Sequence, residues 1–230
     1  RAGVPSHSFL GGNVHMLEVM AACPAEAGLG TAVSGVALRE KAARTRQFLG
    51  AQAADLTVRD LSWDGSRLAL DLAIHNRTGH KLPTSFPSRR MWVHLTVTDG
   101  EGRVLFESGA VDEEGRLQVA ADPLAEACLA VDKPAGFANA GCYAPHRDVI
   151  TAPDQAAVYE AVLGDVNGDI THVLLHADRY LKDNRIPPEG FTESGPDFVA
   201  ATATAGAARD DRDFNQDGDG AGTGTDVVHY

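Results

Sequence analysis

A mainly β fold is what this sequence predicts: an immunoglobulin-like β-sandwich preceded by a short α-helical segment. Three observations carry that expectation. Apolar and polar residues alternate over Leu68 to Ile74 and again over Met91 to Val97, the period of a half-buried strand. Asp64-Gly65 and Asp99-Gly100 fall between such runs, where hairpin turns belong. No stretch of helix length separates these strands, so they should pair as antiparallel hairpins rather than through parallel crossovers.

The elements follow in order. Residues 1–54 read as helical, and residues 55–230 as the sandwich domain. After the Gly11-Gly12-Asn13 turn, Val14, Leu17 and Met20 suit a short helix that Pro24 ends. From Thr31 to Ala54, Val36, Leu38, Ala42 and Phe48 form an apolar side, with Arg39, Lys41, Arg44 and Arg46 facing water. Leu56 to Trp63 and Leu68 to Ile74 make the first hairpin, and Met91 to Val97 with Val104 to Glu107 make the second. Between them lies NRTGHKLPTSFPSRR, Asn76 to Arg90, whose prolines each remove a ladder donor and fix φ, so it reads as a long ordered loop around His80. Val111 to Ala140 reads as loop, Ala156 to Leu163 as strand, and Gly164 to Asp169 as turn. LKDNRIPPEGF after Tyr180 reads as an extended polar loop, and Asp226 to Tyr230 as a last strand.

Composition narrows the function classes. At 230 residues and 43% hydrophobic content the chain can bury a full core. A net charge of -12 speaks against nucleic acid, whose phosphates require a basic face. No apolar run is long enough for a membrane span. The chain opens at Arg1 in mid-pattern, without a basic-then-apolar leader, which predicts the tail of a longer polypeptide. Cys23, Cys128 and Cys142 match no zinc spacing; Cys128 and Cys142 read either as a bridge, implying an oxidising compartment, or as buried thiols. No nucleophile elbow, phosphate-binding glycine loop or cysteine with a histidine partner motif is present, so nothing in the sequence argues for catalysis.

Three stretches carry a resemblance: SHSFLGGN at Ser6 to Asn13, TGHKLPTSFPSRRMWVHLTVTDGEGRVLFESG at Thr78 to Gly109, and PHRDVITAPDQAAVYEAVLGDVNGDITHVLLHADRYLKDNRIPPEGF at Pro145 to Phe191. Together, and in this order, they resemble the haem-free C-terminal region of a family of multihaem c-type cytochromes. The chain departs from that family's haem-bearing part in having no C-x-x-C-H attachment motif; Cys142-Tyr143-Ala144-Pro145-His146 has one cysteine at the wrong spacing. The resemblance implies an electron-transfer component outside the cytoplasm, periplasmic or extracellular, with haem c held by an upstream segment or partner and residues 1–54 contacting the haem domain. It makes His7, His146 and His80 the candidates for axial ligation of that haem, and Arg89 and Arg90 the candidates for its propionates.

Other residues invite metal readings. Asp213, Asn215, Asp217 and Asp219 place oxygens at alternate positions, as calcium requires, with Asp226 as an extra ligand; the loop lacks the bidentate carboxylate at its twelfth position. Asp165, Asn167 and Asp169 have the same spacing and read as a turn. His172 and His176 would share a helix face, though their surroundings suit a strand equally well. His15, His75 and His229 read as structural, and His94 as exposed or packed under the central loop. An extracellular β-sandwich that uses calcium for adhesion is the competing expectation.

Overall fold

The computed structural model describes residues 10–23, 28, 33–84, 89–119, 143–192, 194, 203–215 and 222–230. His7, Phe86, Cys128, Cys142, Asp217 and Asp219 therefore lie outside the described residues. The described part is mainly β, with three small antiparallel sheets and two helices, and it divides into compact units at Arg1–Asp55 and Leu56–Tyr230.

In the first unit, α1 (Val14–Ala22) starts where the Asn13 side chain accepts from the Met16 N–H. α2 (Gly35–Ala51) starts where Ser34 does the same for Ala37. Removing an orphan donor at each start is what fixes these boundaries. The two helices pack together, with Arg46 of α2 paired to Glu18 of α1 and Leu38 and Ala42 buried.

The second unit holds the sheets. β1 (Ala54–Trp63) and β2 (Leu68–Asn76) form the expected hairpin, turned by Asp64, whose carboxylate accepts from the N–H groups of Ser66 and Arg67. β8 (Thr225–His229) completes that sheet in the order β1-β2-β8, with Asp71 opposite His229. β3 (Arg90–Trp92), β6 (Val158–Gly164) and β7 (Arg179–Asp183) form a second sheet in the order β3-β6-β7. β4 (Leu95–Thr98) and β5 (Val104–Ser108) pair alone. One core joins residues from all three sheets: Leu70, Leu72 and Ile74, Val93, Tyr159 and Val228, with Ile150, Ile186 and Phe214 from the connections and Phe106 at the edge.

The structure corrects the sequence reading in two places and adds two features that the reading left open. The single strand expected over Met91 to Val97 breaks at Val93 and His94 and passes from the β6 sheet to β5. Gly109 permits this approach: its φ is +73°, and a Cβ there would sit 2.1 Å from the Val93 carbonyl oxygen. The first three residues of LKDNRIPPEGF, Leu181 to Asp183, are strand, not loop, and Lys182 and Asp183 are buried with partners. β1 buries almost nothing, leaving Leu56, Val58, Leu61 and Trp63 exposed. Leu174 and Leu175, in the apolar stretch after Asp169, form an exposed 3-10 turn.

Candidate functional site: a buried aspartate and histidine centre

Two chain segments converge on β8. The segment through Val149 lies parallel to it, with the Ile150 N–H donating to the His229 carbonyl and the His229 N–H to that of Asp148, both at 2.8 Å. The segment after β7 is tied first by the Asp183–Ala205 bridge and then by the Asn215 N–H, which donates to the Thr225 carbonyl at 2.8 Å. Residues two apart on each segment then face the same neighbourhood: His146 and Asp148 from one, Asp211 and Asp213 from the other, with Asp226 and His229 from β8. They form two triads, one of His146, Asp211 and Asp226 and one of Asp148, Asp213 and His229, each with ligand atoms within 4.8 Å of one another.

The inner triad is buried. His146 Nε2 lies 2.7 Å from Asp211 and Nδ1 lies 3.0 Å from Asn184 Nδ2. Asn184 fixes the tautomer. Its oxygen accepts from the Glu160 N–H at 3.0 Å and its amide nitrogen donates to the Val158 carbonyl at 2.8 Å, so it cannot be turned round without losing both bonds. His146 Nδ1 must accept, and Nε2–H must donate to Asp211. Burial alone would raise Asp211; the His146 hydrogen bond and the Asp213 N–H outweigh it and hold the carboxyl low. Asp226 accepts from the Tyr159 hydroxyl with one oxygen, and burial pushes its carboxyl up to about 7. The same burial, with Asp226 beside it, drives Tyr159 well above the usual phenol range.

The outer triad is half-buried. His229 Nδ1 lies 2.7 Å from Asp71 across the β2–β8 pair, which points Nε2 at Asp213 Oδ2, 3.2 Å away, and Asp148 Oδ1, 3.5 Å away. Asp71 is the main cause that raises His229, while burial and neighbouring carboxylates raise Asp148 and Asp213. Five carboxylates thus share the centre, and among the described residues none has a lysine or arginine partner. Of the seven buried side-chain atoms without a hydrogen-bond partner among the described residues, three are here: Oδ1 of Asp148, Asp213 and Asp226. Native structures seldom leave such groups unmatched, so three together call for a missing positive group.

Other sequence candidates are dispersed. His80 is exposed in the central loop, where its carbonyl accepts from Asn76 and Thr78. Arg89 donates to the Thr84 carbonyl, and Arg90 faces Glu160 at 3.9 Å. Asn215 uses both ends of its amide within the protein, accepting from Gly224 N–H and donating to the Phe191 carbonyl, while Asp213 turns to His229. His172 and His176 are exposed. Sequence reading named His146 for haem and Asp213 and Asp226 for calcium, set His229 aside as structural and passed over Asp71, Asp148 and Asp211; the D/H-x-D spacing at 146–148 and 211–213 was the only signal for Asp148 and Asp211, and Asp71 had none. No family model, no curated protein and no solved structure matches the chain.

Proposed function

We propose that this chain is the haem-free domain or subunit of a multihaem c-type cytochrome assembly in the periplasm or outside the cell, shielding haem held by an upstream segment or partner. The observation that carries the reading is that the Thr78–Gly109 and Pro145–Phe191 stretches, which resemble that family, pair with each other: β3 registers on β6, Leu82 bridges Ile186, and Lys81 meets Asp183 at 2.9 Å. An immunoglobulin-like sandwich is part of the proposal, supported by a core shared among the sheets and by a chain that passes between them at Val93. The apolar row that β1 leaves exposed is the kind of surface a partner covers.

Of the axial candidates, His146 fits a haem poorly, because both ring nitrogens are engaged and its side chain is 4% exposed. His80 fits better, being exposed on a loop braced by Asn76, and His7 lies outside the described residues. Haem, when bound by the assembly, would supply the redox chemistry; this chain would contribute imidazole, exclude water and tune the potential. The competing calcium-dependent adhesion reading loses support from Asn215, whose side chain is already committed.

Absorption spectroscopy of the complex isolated from its native source tests the proposal. A Soret band in the fraction containing this chain, shifted by His7→Ala or His80→Ala, is the expected result. A colourless preparation containing all of the chain's partners overturns it.

A further inference from the structure

We infer that the outer triad is a binding site for a divalent metal of the zinc class, ligated by Asp148, Asp213 and Nε2 of His229, with Asp71 as the residue that positions the imidazole. This inference stands independently of the haem reading, since it rests on the geometry of the centre alone.

Four observations support it. Zinc bonds of about 2.0–2.1 Å in a tetrahedron put neighbouring ligand atoms about 3.3 Å apart. His229 Nε2 lies 3.2 Å from Asp213 Oδ2 and 3.5 Å from Asp148 Oδ1, long for charge-assisted hydrogen bonds and close to that edge length. Asp71, 2.7 Å from Nδ1, supplies the carboxylate that ligating histidines use to fix their tautomer, leaving the Nε2 lone pair outward. Asp148 and Asp213 each keep a buried oxygen without a donor, and Asp226 of the inner triad, 1% exposed, keeps a third.

A proton on Nε2 is the simplest other occupant, and it does less. It donates to Asp213 Oδ2 and leaves Asp148 Oδ1 without a hydrogen-bond donor, whereas a divalent ion would take that oxygen as a ligand and offset the charge of both carboxylates. The imidazole selects the class: calcium prefers an all-oxygen shell, while a mixed nitrogen and carboxylate set suits zinc and its neighbours. Three protein ligands on a half-buried face leave a coordination position for water or a further group. His146 is not a ligand here, because its Nδ1 accepts from Asn184 and its Nε2 carries the proton shared with Asp211.

The test is zinc titration of the full chain after chelator treatment, read by calorimetry and by competition with a chromophoric chelator. One zinc per chain is expected, with a raised melting temperature. Asp148→Asn and His229→Gln should each weaken binding at least about 100-fold, and Asp71→Asn should weaken it about 10–100-fold, the usual effect of losing a carboxylate behind a ligating histidine. Cobalt should bind the same site and give visible d–d bands that His229→Gln removes. Asp148 is partly exposed and carries an unpartnered oxygen, so Asp148→Asn should fold, as circular dichroism would verify. Absence of stoichiometric zinc binding overturns the inference. So does binding that survives Asp148→Asn and His229→Gln, or that disappears when the exposed His172 and His176 are both changed to Gln. Equal stabilisation by calcium, unaffected by His229→Gln, also overturns it.

Discussion

β6 runs between two buried groups of charges, reached by neighbouring residues that point to opposite sides. On one side Glu160 lies 3.1 Å from Lys182 and 3.9 Å from Arg90, and the lysine also donates to the carbonyls of Ala144 and Val158. Next to it Asp183 is held by Arg185 at 2.8 Å and Lys81 at 2.9 Å. On the other side Tyr159 donates to Asp226, and Asp71, Asp148, Asp211 and Asp213 stand nearby with two imidazoles as their only basic companions among the described residues. Each carboxylate of the first group faces two cations. In the second the acids exceed the bases and three oxygens have no donor. Burial of charge is common to both and explains neither; what separates a structural network from a candidate site is whether the charges are matched.

That contrast can be broken at its matched side first. Lys182→Met should leave Glu160 with Arg90 alone, strip the Ala144 carbonyl of its donor and leave Val158 only Asn184, costing about 3–5 kcal/mol in urea unfolding. The unmatched side should declare itself through pH. Asp226 is raised by burial, so its proton favours the folded state; that stability is present at acid pH and is lost as pH rises through about 7. Asp148, Asp213 and His229 are also raised and push the same way. Metal-free protein should therefore lose about 2–3 kcal/mol between pH 5 and 8, and Asp226→Asn should flatten most of that slope in denaturant melts. Asp183 behaves oppositely: although burial works to raise it, Arg185 and Lys81 hold it low, so its contribution disappears only in acid.

Asn184 joins the two sides, since one amide holds the β6 backbone and His146 together. Asn184→Ala should cost about 2 kcal/mol by leaving the Glu160 N–H and His146 Nδ1 without their partner and removing one of the two donors to the Val158 carbonyl. The smallest effect should have the opposite sign. Asp148→Asn removes one of five clustered charges and should stabilise metal-free protein by about 0.5 kcal/mol, a modest figure because the side chain is half in water. Equal destabilisation by Asp148→Asn and Lys182→Met would erase the distinction between the groups.

Much of the fold was legible in the sequence where pattern and burial coincide. The helix start after Asn13, a helix within Thr31 to Ala54, the two Asp-Gly hairpins and the last strand follow from local rules that a one-dimensional reading can apply. Reading failed where polar residues are inside. Lys182, Asp183 and Asn184 look like loop, yet they are among the most buried residues because each has partners from distant segments. It gave no sign that Leu56, Val58, Leu61 and Trp63 of the first hairpin strand lie exposed. Alternation reports which residues share a face, not whether another layer covers it.

The same division governs the candidate site. By itself the sequence determined the helical start, the β-rich remainder and the types of group available: an acidic chain with histidines and D/H-x-D spacings but no haem attachment motif. Only the tertiary structure decided that residues 71, 148, 213 and 229 meet, that Asn184 fixes the His146 proton, and that three carboxylate oxygens lack donors. Local order depends on neighbours within a few residues, whereas charge matching depends on which distant segments a closed core brings together.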